Sequence, residues 1–398
     1  MDLRLSIQEQ GFRDEVRDFI RTNLPQDIRD HVRAGYPPRK DDIVTWQRML
    51  NTRGWATAHW PEEFGGAGLT PVERMILIEE ISLAPAPQPL IFNSNMIGPV
   101  IIQFGSDEQK RHFLPKIANV DLWFCQGFSE PGAGSDLASL RTQARRDGDD
   151  YIVNGQKIWT TTAHQADWMF CLLRTDPQAK KQSGISFLLI DMKTPGITVR
   201  PIISLDGLHH LNEVFLDEVR VPVANRIGEE NKGWDYAKFL LGHERTSIAG
   251  VGRSKERLAY AKELAAKVNA GGRPLSEDRC FRERVALLEA ELKALEITQL
   301  RVVAAHERQD QDKADPFTSI LKIKGTELYQ AVCELLYSVA GPAALVARPI
   351  GALADGEHLA PDWAAPIAPA YFHSRAASIY GGSNEIQKNI LAKGVLGL

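Results

Sequence analysis

The chain of 398 residues has only four cysteines, Cys125, Cys171, Cys280 and Cys333, with no C-x-x-C pair among them. Such spacing argues against a zinc site and against a disulfide framework, and it fits a reducing cytoplasm. Charge of one sign is also missing. Forty-seven Lys and Arg against 51 Asp and Glu leave a net charge of −4, which gives no general attraction to nucleic acid or an anionic membrane, although a local basic patch for a phosphorylated ligand remains open. No uninterrupted apolar run approaches membrane-spanning length, and the opening MDLRLSIQEQGFRDEV carries charge where a signal peptide would have an apolar core. A soluble, unexported protein is expected. There is no G-x-G-x-x-G and no lysine of the G-x-x-x-x-G-K type, so glycine alone is weak ground for a nucleotide site.

The composition that remains is globular: 43% hydrophobic and 25% charged residues can bury a large core, and the length suggests two or three packed units around one shared site. Three zones follow one another. Residues 1–120 read as helical, with Phe12, Val16, Phe19 and Ile20 at helix spacing and Ser106 capping a helix that Pro115 should close. WPEEFGGAGL (60–69) and APAPQP (84–89) read as turns between helices. Residues 121–232 read as a β domain: Asp147-Gly148 and Asn154-Gly155 flank DDYIV as a hairpin signal, and DWMFCLL, ISFLLIDM, GITVRPI and NEVFLDEVRVP have strand length. Residues 233–398 return to helix, with Val285, Leu288, Leu292 and Leu295 on one stripe and NAGGRPLSED (269–278) as an exposed loop.

Two segments carry chemistry. CQGFSEPGAGSDLASL (125–140) sets Pro131, Gly132 and Gly134 between Ser129 and Ser135, a turn whose N–H groups can approach polar ligand atoms. NGQKIWTTTA (154–163) sets Trp159 and Thr161 two apart, on one side of an outgoing strand, where a flat ring beside a hydroxyl suits a planar heterocycle as well as it suits an ordinary core. A third segment, SIYGGSNEIQ (378–387), places Gly381-Gly382 before Ser383, a helix cap, and leaves the chain free to bend close to something.

Taken jointly and in order, FSEPGAGSD, NGQKIWTT, WPEEFGGAGL and IYGGSNEIQKNILAKGVLGL resemble the acyl-CoA dehydrogenase family over nearly the whole chain. The resemblance implies an α+β fold: a helical N-domain, a β-barrel-like middle domain and a C-terminal four-helix bundle. It implies FAD as cofactor and an acyl-CoA substrate oxidised to the trans-2-enoyl thioester, with electrons passing to an electron-transfer flavoprotein. By position, Gln126, Phe128, Ser129, Gly134, Ser135, Trp159, Thr160 and Thr161 would line the flavin. Ser383 and Glu385 would meet the cofactor at the terminal turn, and Ser135, Arg245, Tyr380 and Gly381 would bind substrate.

Many family members carry a Glu base directly after the Tyr of the last motif, and here that position is Gly381. On YAKFLLGHERTSIAG (236–250), Tyr236, Leu240, Glu244, Ser247 and Val251 share a helical stripe. A carboxylate there is either half of an ion pair, with Arg245 or Arg253, or a base with a raised pKa. The resemblance to members that supply their base from this helix selects Glu244 as the catalytic base.

In homomeric members a neighbouring subunit completes the FAD site with Arg-x-x-Phe-Gly and a Gln followed by paired glycines. Here AGGRPLSEDRCFRERVALL and LLYSVAGPAALV show neither, with only Gly341 where a pair would stand. The same asymmetry occurs in large subunits of heteromeric members, and the chain is most similar to the pimeloyl-CoA dehydrogenase large subunit, with the steroid side-chain dehydrogenases as relatives, so that a dicarboxylyl-, fatty or steroid-tailed CoA is implied without a choice among them. The asymmetry implies a second dehydrogenase-like subunit in an α2β2 heterotetramer, unless Arg273 or Arg279 serves instead in a homo-oligomer. A subunit that only completes another chain's site, or an oxidase on the same scaffold, are the competing readings.

Overall fold

The computed structural model describes residues 4–243, 249–306, 317–346 and 360–398. By contacts the chain forms two compact units, one of Met1–Trp46, Leu69–Gln88 and Arg245–Leu398, the other of Gln47–Gly68 and Pro89–Glu244. The helical stretch before residue 120 is thus divided between them.

Helix starts follow local chemistry. α1 (Ile7–Asn23), α4 (Pro71–Leu83) and α6 (Asp107–Ala118) begin at Ser6, Thr70 and Ser106, whose hydroxyls accept the N–H of Glu9, Glu73 and Gln109 while those side chains accept the cap N–H in return. α6 runs through Pro115 to Ala118, contrary to the expected stop. A proline near a helix end loses one hydrogen bond, and Asn119 still donates to the Pro115 carbonyl at 3.1 Å.

The unit of residues 47–68 and 89–244 is built on an eight-stranded mixed sheet. β1 (Phe124–Gly127) runs parallel to β4 (Trp168–Arg174), and β2 (Gln143–Asp147), β3 (Asp150–Lys157), β5 (Ile185–Asp191), β6 (Ile197–Ile203), β7 (His209–Pro222) and β8 (Arg226–Ile227) complete the order 6-7-3-2-4-5-8. The β2–β3 hairpin turns at Gly148, as expected, but Asn154-Gly155 is no turn. It lies inside β3, where the pairing with β7 shifts register and Thr142 lies 2.6 Å from where a Gly155 Cβ would stand.

β4 is apolar from Trp168 to Leu173 because both its faces are buried. Met169, Cys171 and Leu173 pack with Tyr151, Leu188 and Val214, while Phe170 and Leu172 pack with Phe113, Ile117, Tyr236 and Leu240 of the covering helices, α6 and α7 (Gly233–His243). α5 (Gly98–Phe104) follows a π-helical turn at Phe92–Ile97 and touches Trp60 so closely that a Cβ on Gly98 would lie 1.9 Å from the indole.

The other unit is helical. α2 (Gln26–Ala34) and α3 (Lys40–Asn51), which ends in the sheet unit, precede α4. α8 (Val251–Lys267), α9 (Arg279–His306), α10 (Thr318–Ala340) and α11 (Ile367–Ser374) share a core of Leu258, Leu264, Leu292, Leu295, Leu321, Leu328, Leu335 and Ile367. α12 (Asn384–Val395) closes the chain. The expected loop at 269–278 contains a small hairpin, Asn269–Ala270 with Arg273–Pro274. The stripe from Tyr236 to Val251 is interrupted. Gly250 takes φ 58° before α8 starts at Val251, so Val251 is not on the helix of Tyr236 and Leu240. Among the described residues no helix is long and apolar enough to cross a membrane.

Gly98→Ala should destabilise the protein by about 1–3 kcal/mol through overpacking against Trp60, read as an earlier urea midpoint. Gly132→Ala, whose added Cβ meets nothing within 4 Å, should leave the midpoint unchanged.

Candidate active site

Sequence put two motifs in the β domain, and hydrogen bonds join them. The Ile158 N–H donates to the Ser129 carbonyl at 3.0 Å, which sets Ser129 beside the residue preceding Trp159. Lys157, with no solvent exposure, donates to Glu130 Oε1 at 2.8 Å, the Leu172 carbonyl at 2.8 Å and the Phe128 carbonyl at 3.3 Å. Glu130 then accepts the N–H groups of Arg141 and Thr142, at 2.6 and 2.9 Å, so all the turn's ends are tied.

Burial alone would raise the pKa of the Glu130 carboxyl. The Lys157 charge and hydrogen bond, helped by Thr142 and Arg141, outweigh it and hold the group below the usual carboxylate range.

Gln126 is half-buried on β1, which is placed by Asn93: its amide donates to the Ile117 and Leu122 carbonyls and its oxygen accepts the Phe124 N–H. Gly127 has Met169 Sδ 2.5 Å from where its Cβ would be, so no larger residue fits between Gln126 and Phe128. Phe128 is buried edge-on against Phe170 and Phe187. Ser129 is half-buried, while Gly134 and Ser135 are exposed, and a Cβ on Gly132 or Gly134 would meet nothing within 4 Å. Open space thus lies at Gly132 and Gly134, on either side of a buried Ala133 that exchanges both backbone hydrogen bonds with Glu130.

Trp159 and Thr161 do not lie on a strand. β3 ends at Lys157, and Trp159 takes φ 60° and Thr162 φ 55°, so the pair sits on a kinked connection. Its conformation is fixed by Asn212, which exchanges both backbone bonds' worth of polarity with Thr160: Thr160 N–H to Asn212 O at 3.0 Å and Asn212 Nδ2 to Thr160 O at 2.9 Å. Trp159 is left 56% exposed, far more than an ordinary core tryptophan, and Thr161 is half-buried. Thr160 is 1% exposed, and its hydroxyl has no hydrogen-bond partner among the described residues.

In the helical unit the terminal motif forms a bend. Gly381 and Gly382 take φ 63° and 78°, Ser383 caps α12 by accepting the Ile386 N–H, and Gln387 donates to the Gly381 and Gly382 carbonyls. Beneath it Lys322, also without exposure, donates to Asn384 Oδ1 at 3.0 Å, and Ser319 donates to Gln387. Tyr380 is 50% exposed beside the bend. The exposed Glu385 carboxyl is held low by its own backbone N–H and the Ser383 hydroxyl, so it is anionic at neutral pH. Glu244 and Arg245 lie outside the described residues.

Glu130, Lys157, Asn93, Asn212 and Lys322 were not singled out from sequence. Glu130 and Lys157 sit inside the two motifs, and a Lys at a strand end directly before Ile158 and Trp159 is the one signal that could have raised the pair.

The comparisons agree with this geometry. Residues 6–121, 125–219 and 231–396 match the N-terminal, middle and C-terminal domains of acyl-CoA dehydrogenase, respectively. Acyl-CoA dehydrogenase IpdE1 of Mycobacterium tuberculosis is 36% identical, with 98% of this chain and 97% of that one covered. Among solved structures, the Tcur3481-Tcur3483 steroid ACAD superposes with a TM-score of 0.85 at 31% identity, covering 100% and 99% of the two chains. The ChsE4-ChsE5 complex from Mycobacterium tuberculosis gives 0.83 at 32% identity, again over 100% and 99%. The chain belongs to the acyl-CoA dehydrogenase family. It has that family's α+β fold, with a helical N-terminal, a β middle and a helical C-terminal domain, and it is an oxidoreductase acting on a CH–CH bond.

FAD is the general cofactor of this flavoprotein family, and the residues present fit it. An exposed tryptophan offers a face for stacking, Gly132 and Gly134 flank the turn with open space, and the unpartnered Thr160 hydroxyl carries a desolvation cost of about 1–3 kcal/mol that a polar ligand edge would offset.

Lys157→Met should cost about 3–5 kcal/mol, because it strands the Glu130 carboxylate; Lys157→Met with Glu130→Leu should cost clearly less than the sum of the two single changes in urea unfolding. The pH sign follows from the lowered Glu130 pKa. Its contribution is complete above the unfolded value of about 4.3 and disappears as pH falls through the lower folded value, so the stability gap between wild type and Glu130→Gln should close in that acid window.

Proposed function

We propose that this chain carries the FAD and the catalytic groups of an acyl-CoA dehydrogenase that forms trans-2-enoyl-CoA and delivers electrons to an electron-transfer flavoprotein. The observation that carries the reading is the junction of 126–130 with 157–161, which leaves Trp159 exposed above a tied turn. An intact seat of this kind speaks for a catalytic chain over one that only completes another's site.

When bound, FAD supplies the acceptor for the hydride leaving the substrate's β-carbon. Gln126, Phe128, Ser129, Gly134, Ser135, Trp159, Thr160 and Thr161 would hold it, with Ser383 and Glu385 at the terminal turn. The Gly381 N–H would donate to the thioester oxygen and acidify the α-carbon. Gly381 has no side chain to take the proton, so Glu244 is the base in this proposal, with Arg245 beside the acyl group and Tyr380 along it.

A second dehydrogenase-like subunit in an α2β2 assembly would complete the FAD site. What supports it is the lone Gly341 with φ 52° at the end of α10 and the absence of Arg-x-x-Phe-Gly around Arg279. Two structural relatives are themselves described by paired chain names. Pimeloyl-CoA dehydrogenase remains the specific likeness proposed for this large subunit.

Co-expression with a second dehydrogenase-like chain should yield a yellow complex bleached anaerobically by acyl-CoA, whereas the lone chain should purify with little flavin. A fully yellow homodimer would contradict the heteromer. Glu244→Gln should slow flavin bleaching about 10²–10⁴-fold while FAD content stays the same; an unchanged rate would remove the base assignment.

A further inference from the structure

Asn212 on β7 is fully buried, and both polar atoms of its side chain are engaged. Nδ2 lies 2.9 Å from the Thr160 carbonyl and 3.2 Å from His164 Nδ1, while Oδ1 lies 2.7 Å from His209 Nε2. A carbonyl oxygen can only accept, so the atom facing Thr160 has to be the NH2 group. The histidines follow from that one assignment. The second Nδ2 hydrogen needs a lone pair on His164 Nδ1, and Oδ1 takes the hydrogen carried by His209 Nε2. The two imidazoles stack with centroids 3.9 Å apart and planes 24° apart, which keeps both against the same amide.

The rings reach Asn212 from opposite directions along the chain. His164 lies in the 3-10 turn Ala163–Gln165 that ends the kinked connection, and His209 opens β7. Between them the connection holds two residues in the left-handed region, Trp159 and Thr162, a strained backbone that persists only where its surroundings over-determine it. Backbone bonds supply part of the constraint: the Thr160 N–H donates to the Asn212 carbonyl at 3.0 Å and the Thr162 N–H to the His210 carbonyl at 2.8 Å. The Thr160 carbonyl depends on the Asn212 amide, and the amide on the two rings. The segment so held has groups to spare. The buried Thr160 hydroxyl has no partner among the described residues, and Trp159 beside it is largely exposed.

We propose that His164 and His209 are positioning residues for the flavin, acting through the Asn212 amide on Thr160 and so on the ring of Trp159. The inference rests on the FAD reading above. Neither histidine is asked to touch the cofactor; each fixes which way the amide turns, and a turned amide would set its oxygen against the Thr160 carbonyl.

The test uses the particular ring nitrogen that each histidine offers. Asparagine carries Oδ1 where histidine has Nδ1, and glutamine carries its amide nitrogen near where histidine has Nε2. His164→Asn and His209→Gln should therefore keep the bonds to Asn212, whereas His164→Gln and His209→Asn should lose them. FAD dissociation constants are measured on the full chain in its FAD-binding assembly, beside far-ultraviolet circular dichroism. The first pair should bind FAD within about twofold of wild type, and the second pair about 5–20-fold more weakly with an unchanged dichroism spectrum. Four variants that all bind like wild type would overturn the proposal, and so would equal weakening by both substitutions at either position. A wild-type assembly that binds no FAD would remove the FAD reading itself, and this proposal with it.

Discussion

The candidate site depends on one buried ion pair. Lys157 lies at the end of a central strand with no solvent exposure, and each of its ammonium hydrogens has a destination: a carboxylate, the carbonyl of Phe128 and the carbonyl of Leu172. Desolvating two charges is expensive, and a pair of this kind is weak as a source of net stability compared with apolar residues of similar size. What it provides is position. Three segments distant in sequence, β1 with its turn, β3 and β4, can satisfy their buried polar groups in only one arrangement, and that arrangement sets Phe128 to Glu130 beside the start of the Trp159 connection.

The same device recurs beneath the terminal bend. Lys322, equally buried, holds Asn384 in the first turn of α12, and Gln387 holds the carbonyls of the two glycines that precede it. Segments with left-handed backbone, at Trp159 and at Gly381-Gly382, would be the first to relax without such support. Asn212 holds the first through Thr160 and Gln387 holds the second through the glycine carbonyls, while Trp159 and Tyr380 stay more exposed than their size would predict. Rigid backing with an accessible face is what a site must combine to hold a ligand without rearranging.

Much of this was legible in the sequence. Short β-branched and aromatic runs between turn residues pointed to the strands from Asp150 to Pro222, Ser106 pointed to the helix it caps, and the glycines of the terminal motif announced a bend. Where the reading failed, longer-range packing had overridden a local signal. Asn154-Gly155 has the residues of a hairpin turn, but pairing with β7 on one side and Thr142 pressing on Gly155 make it a bulge within a strand. Trp159 and Thr161 have strand spacing, but Asn212 captures Thr160 and twists the chain out of the sheet. Helical periodicity continues past Leu240 to Val251, yet Gly250 separates the two helices. The buried lysines were hidden for a related reason: lysine is usually a surface residue, and only the partners, 27 and 62 positions away, show that these two are not.

The central claim is that the Lys157–Glu130 pair shapes the flavin seat and does not merely stabilise the β domain. Its most direct test is the FAD dissociation constant of the assembly containing Lys157→Met with Glu130→Leu, measured beside far-ultraviolet circular dichroism. The account predicts an unchanged dichroism spectrum with FAD binding weakened about tenfold or more, which corresponds to at least about 1.4 kcal/mol. A folded double variant that binds FAD as tightly as wild type would contradict it.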